Sequence, residues 1–158
     1  MTSVAVMGST GSVGRQTLDL VREDPESFTV TILGAHSNVE GILGQAREFR
    51  PSVVGLDDET AAKELRSLVD PDIEVVAGDE LLAALTDAEI VINGVTGFAG
   101  TRVTESALLA GLRLGLANKE SLIAAGDLVL SLLARGGELI PVDSEHSETQ
   151  VSAVDIPW

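Results

Sequence analysis

Short apolar segments of strand length alternate with helical segments along nearly all of the 158-residue chain. Apolar runs at 4–7, 28–33, 53–56, 73–76, 90–92, 112–116 and 139–142 predict strands. Helical patterns at 12–23, 39–49, 59–68, 80–85, 101–109 and 119–134 separate them, and the first two stop just before Pro25 and Pro51. Strands that are apolar on both faces and joined by helices pair in parallel, because a parallel neighbour needs a crossover and the crossover helices cover the sheet. The expected fold class is α/β: a Rossmann-like, doubly wound, mostly parallel sheet with helices on both faces. Aromatic residues make up only 3% of a chain that is 44% hydrophobic, so the core must be aliphatic. In such a fold, ligands bind beyond the carboxyl ends of the strands.

The first strand-to-helix corner reads Gly8-Ser9-Thr10-Gly11-Ser12-Val13-Gly14. Gly8 suits the backbone angles of a tight turn. Gly11 carries no side chain to hold a phosphate away from the main chain. Gly14 lets the helix pack close to the strand. Free N–H groups at the helix start, with the hydroxyls of Ser9, Thr10 and Ser12 beside them, make an anion site. The spacing is G-x-x-G-x-x-G rather than the commoner G-x-G-x-x-G, and a tight turn without a ligand is the competing reading.

Charge excludes one class of partner. The chain has 25 acidic and 10 basic residues, a net charge of −15, so nothing would neutralise a nucleic-acid backbone. The acid excess fits either a solvated surface or adaptation to high salt, where self-repulsion is screened. No apolar run approaches a membrane span, and no basic-then-apolar leader opens the sequence. With no cysteine to form disulfides, the expected setting is cytoplasmic.

Four further segments fall at predicted strand ends. After the second strand comes Gly34-Ala35-His36-Ser37-Asn38. An NAD site usually carries a carboxylate at this point to hold the ribose hydroxyls, and none is present. That leans toward NADP, although no Arg or Lys stands there to attract a 2′-phosphate. Gly94-Val95-Thr96-Gly97-Phe98-Ala99-Gly100 is either a second loop bordering a cofactor or an ordinary connection. Asn118-Lys119-Glu120-Ser121 is either a helix N-cap with solvated first-turn residues or a place where Lys119 meets an anionic substrate oxygen. In Pro141-Val142-Asp143-Ser144-Glu145-His146-Ser147, the carboxylates of Asp143 and Glu145 point to the same side of an extended segment. They form either a site for a hard divalent ion or an acidic loop in an acidic protein.

Taken together, GSTGSVG, ANKES and PVDSEHS resemble the 1-deoxy-D-xylulose 5-phosphate reductoisomerase family, in the same order and near the same intervals. The run after the glycine loop and the AHSNVE segment extend the likeness over about residues 1–147. The resemblance implies that Thr10, Gly11, Ser12 and Val13 hold NADPH phosphates and ribose, and that Asn38 belongs to the adenosine end. It implies cofactor contacts from Asn118 and Glu120, and substrate contacts from Lys119, Ser144 and Glu145. It implies that Asp143 and Glu145 bind a divalent metal: Mn2+, Mg2+ or Co2+. The implied substrate is a small phosphorylated sugar, isomerised and then reduced to 2-C-methyl-D-erythritol 4-phosphate in isoprenoid biosynthesis. The implied full-length form is a homodimer, with no nucleic-acid or membrane partner.

The family pattern is departed from after Ser147, where this chain reads Glu148-Thr149-Gln150-Val151 and runs on to Trp158. The expected organisation is therefore an NADP-binding domain over 1–147 that ends at the start of a catalytic domain, followed by a divergent tail over 148–158. A chain of this extent lacks the family's third metal carboxylate and its substrate-phosphate residues, and is expected to be inactive alone. The alternative is a non-catalytic dinucleotide-binding module or degenerate remnant.

Overall fold

The structure is a computed structural model that describes residues 1–117, 123, 126–134 and 136–141. Seven strands run through it: β1 (Thr2–Met7), β2 (Phe28–Ala35), β3 (Val53–Leu56), β4 (Glu74–Ala77), β5 (Ile90–Asn93), β6 (Arg113–Leu116) and β7 (Glu138–Pro141). Among the described residues the helices include α1 (Ser12–Glu23), α2 (Val39–Phe49), α3 (Glu59–Leu68), α4 (Asp79–Ala84), α5 (Phe98–Leu109) and α6 (Gly126–Leu133), with a 3-10 turn at Leu85–Asp87.

The sheet order is β4-β3-β2-β1-β5-β6-β7, and every neighbouring pair is parallel. The expected doubly wound class is therefore observed, with a sheet that is wholly rather than mostly parallel. The chain moves outward from β1 in one direction through β4, then returns to β1's other side at β5. That reversal opens a crevice beyond the carboxyl ends of β1 and β5, where adjacent connections leave on opposite faces.

Each face of the sheet has its own aliphatic core. Val4, Val6, Leu33, Val54 and Leu56 pack with Leu18 of α1, Ile42 of α2 and Leu65 of α3. On the other face, Ala5, Met7, Ile32, Val91 and Leu114 pack with Leu81 of α4, Val103 and Leu108 of α5, and Val129 and Leu133 of α6. Successive β1 side chains thus enter opposite cores, which is why this strand reads as an unbroken apolar run. At roughly 25 cal/mol per Å² of apolar area removed from water, burial on two faces is the main stabilising term for so short a strand.

Helix boundaries follow local signals closely. Asn38 caps α2 by accepting the Gly41 N–H at 2.9 Å, and Asp58 caps α3 by accepting the Ala61 N–H at 2.8 Å. Two differences from the sequence reading stand out. The helix expected at 101–109 begins three residues earlier, at Phe98, because Gly97 (φ +73°) turns the chain into it and accepts the Gly100 N–H at 3.2 Å. The strand expected at 28–33 runs on to Ala35, because Gly34 and Ala35 pair with Gly55 and Leu56 of β3. Of the helix expected at 119–134, the described residues show Gly126–Leu133.

Candidate dinucleotide site

The glycine corner sits at the crevice. Gly8 turns the chain at φ +75°, and the amides of Gly8 and Ser9 both donate to the Gly34 carbonyl of β2, at 2.8 and 2.9 Å. The Gly11 amide donates back to the Gly8 carbonyl at 3.0 Å, closing the loop before α1 starts. A Cβ at Gly14 would lie 2.2 Å from the Gly8 oxygen and 2.5 Å from the Ser9 Cα, so only glycine lets α1 approach its own loop this closely. A Cβ at Gly11 would meet only the Gly8 oxygen, at 3.3 Å, and Gly11 and Ser12 are exposed. The corner is thus packed from below and bare above.

The bare side presents hydrogen-bond donors. Among the described residues, no acceptor meets the amides of Thr10, Ser12 or Val13, and no acidic side chain lies in the first turn of α1. Unpaired amides at the positive end of a helix dipole suit a diphosphate.

Neighbouring elements hold the loop in this shape. Gln45 of α2 donates through Nε2 to the Ser9 carbonyl at 2.8 Å. Gly41, in the first turn of α2, lies close to both Thr10 and Asn38: a Cβ there would come within 3.0 Å of Thr10 Cγ2 and 2.7 Å of Asn38 Nδ2. The structure therefore brings Thr10, Gly11, Ser12, Val13 and Asn38 to one rim. Asn118, Lys119, Glu120, Asp143, Ser144 and Glu145 lie outside the described residues.

The second glycine segment is part of the same corner. Gly94 donates its amide to the Met7 carbonyl at 2.8 Å, and a Cβ at Gly8 would lie 2.8 Å from the Gly94 carbonyl carbon. Asn93, fully buried, fixes this segment. Its Nδ2 donates to the Gly100 carbonyl at 2.8 Å and to Thr104 Oγ1 at 3.0 Å, while its Oδ1 accepts the Val95 N–H at 3.1 Å. Asn93 and Gln45 escaped the sequence reading. Their only signal was a polar residue ending an apolar strand in one case, and a polar residue beside the apolar stripe of a helix in the other.

Beyond β2, a mostly apolar cavity of about 90 Å³ opens beside the corner, with Met7, Ala35, Leu82 and Val95 among its walls. His36, Asp57 and Arg102 are the charged or titratable side chains that line it. His36 Nδ1 lies 3.3 Å from Asp57 Oδ2, so the histidine after β2 faces a carboxylate just past the end of β3. Among the described residues, no group of three or more His, Cys, Asp or Glu side chains is placed to hold a metal ion, and no helix is long and apolar enough to cross a membrane.

A doubly wound parallel sheet, a glycine corner with bare amides at its switch point and an apolar cavity beyond β2 together define a Rossmann-like α/β domain with a candidate dinucleotide site. The family model for 1-deoxy-D-xylulose 5-phosphate reductoisomerase matches residues 4–126, and the chain belongs to that family. The reductoisomerase of Desulfitobacterium hafniense (strain DSM 10664 / DCB-2) is 49% identical over 152 residues, covering 93% of this chain and 40% of the relative. The solved reductoisomerase from Zymomonas mobilis in complex with NADPH superposes with a TM-score of 0.85 at 34% identity, covering 92% of this chain and 39% of that one. A second solved reductoisomerase, in complex with NADPH, fosmidomycin and magnesium, gives a TM-score of 0.82 at 34% identity, covering 92% of this chain and 37% of that one. The chain thus spans about 40% of the length of the curated relatives it matches.

Proposed function

We propose that this chain is the NADPH-binding part of a reductoisomerase that converts 1-deoxy-D-xylulose 5-phosphate to 2-C-methyl-D-erythritol 4-phosphate in isoprenoid biosynthesis. The observation that carries this reading is the set of unpaired Thr10, Ser12 and Val13 amides above a corner that Gly8 and Gly14 keep clear. The amides bind the pyrophosphate. The Thr10 and Ser12 hydroxyls extend the donor set, and Val13 packs against Gly94 to hold the two loops together. Asn38 stands at the adenosine end, its Oδ1 committed to the α2 cap and its Nδ2 left as a donor. The nicotinamide supplies hydride when bound; the chain's own part is to position it and exclude water.

Asn118 and Glu120 are assigned to the cofactor and Lys119, Ser144 and Glu145 to the phosphorylated substrate. Asp143 and Glu145 are assigned to a divalent metal (Mg2+, Mn2+ or Co2+). These roles rest on the family motifs. They are supported by β6 and β7 ending at Leu116 and Pro141, just ahead of those motifs in sequence and on the rim where β1 ends.

Calorimetric titration of the chain with NADPH and NADH tests the proposal. Saturable binding of NADPH at one site is expected. Absence of heat with both nucleotides, from a chain shown to be folded, would remove the basis for the assignment.

A further inference from the structure

The segment that ends β2, Ala35-His36-Ser37-Asn38, holds no lysine or arginine, yet NADPH carries a 2′-phosphate that must be met near this point. The positive charge at this rim comes from another element. Arg102, on the second turn of α5, lines the same cavity as His36, and among the described residues it is the only arginine or lysine to do so. The remaining charged lining groups oppose a phosphate or are already engaged: Asp57 is anionic and His36 faces it at 3.3 Å.

The geometry points to Arg102 as the residue that makes this site prefer a 2′-phosphorylated nucleotide, an inference that rests on the dinucleotide reading above. Arg102 pairs with Asp79 at the start of α4. Both partners are well exposed, 50% for Arg102 and 85% for Asp79, so the pair is weak and is readily exchanged for a stronger acceptor. A phosphate offers two negative charges and several oxygens where Asp79 offers one carboxylate. The planar guanidinium can meet phosphate oxygens with two parallel N–H groups, which an ammonium cannot. Asp57 adds to the discrimination by geometry: its charge disfavours the phosphate on the β3 side and leaves the α5 side as the place for it.

The test is calorimetric titration of the 158-residue chain, wild type, Arg102→Ala, Arg102→Lys and His36→Ala, each with NADPH and with NADH. The wild type is expected to bind NADPH more tightly than NADH. Arg102→Ala should weaken NADPH at least about tenfold and leave NADH within about twofold, with an unchanged circular dichroism melt because the side chain is half exposed. Arg102→Lys should recover part of the NADPH affinity, and His36→Ala should alter the NADPH-to-NADH ratio less than Arg102→Ala does. The inference is overturned, with the dinucleotide reading intact, if NADPH still binds but Arg102→Ala weakens both nucleotides equally or neither. It is likewise overturned if His36→Ala removes the preference or if the wild type shows none. If the folded wild type binds neither nucleotide, the dinucleotide reading falls and this inference falls with it.

Discussion

Gln45 Nε2 donates to the Ser9 carbonyl oxygen at 2.8 Å, tying the middle of α2 to the glycine corner across 36 residues of sequence. The Ser9–Thr10 peptide is trans, so its carbonyl and the Thr10 N–H point in opposite directions. Pinning the carbonyl toward α2 turns the Thr10 N–H away from it. Gln45→Leu keeps the bulk of the side chain and loses the donor. It should weaken NADPH binding by about 1 kcal/mol, roughly fivefold, read by calorimetric titration. Equal affinity in the variant would show that the loop holds its shape without the tether.

Gly14 tests the packing of the corner rather than its chemistry. An added methyl would lie 2.2 Å from the Gly8 oxygen, and its neighbours are backbone atoms that cannot rotate aside. Gly14→Ala should cost ~3 kcal/mol of folding stability and lower the melting temperature, as measured by calorimetry. Gly44→Ala is the control: nothing lies within 4 Å of its Cβ position, and a helical alanine there should be neutral or stabilising.

Asn93 is the polar residue on which the second loop depends. Its side chain makes three hydrogen bonds in a fully buried setting. Asn93→Leu removes both donors and leaves the Gly100 carbonyl and Thr104 hydroxyl without this partner. Urea unfolding should show a loss of ~3 kcal/mol. Asn93→Asp keeps the acceptor for the Val95 N–H but not the donors, and should lose nearly as much.

Acid sensitivity is expected at the amino-terminal edge of the central strands. Glu89 accepts from the Ser3 N–H at 2.7 Å and from the Ser3 hydroxyl at 3.2 Å, which holds its carboxyl below the usual carboxylate range. A carboxyl with a depressed folded-state pKa contributes stability above its unfolded value and loses it as pH falls through the folded one. Melting temperatures across an acid series should fall less steeply in Glu89→Gln than in the wild type. The difference should be small, because the carboxylate is exposed to water.

The net charge of −15 should make stability depend on salt. Screening shortens the reach of self-repulsion to a few ångströms in molar salt. The melting temperature is expected to rise from low to multimolar KCl, and a flat profile would count against adaptation to high salt.

What the sequence determined by itself is local. Short apolar runs and period-3.6 patterns placed the strands and helices, since they depend on which faces must leave water. Gly8-Ser9-Thr10-Gly11 marked the glycine corner because the steric demands of a tight turn act on adjacent residues. The tertiary structure alone decided which distant groups share that corner. Gly94 lies against Gly8, Gln45 reaches Ser9, and Arg102 and His36 line one cavity because the order β4-β3-β2-β1-β5 stacks their strand ends side by side. Strand order follows from how the two faces divide the buried side chains among all the helices at once. No window of neighbouring residues contains that information.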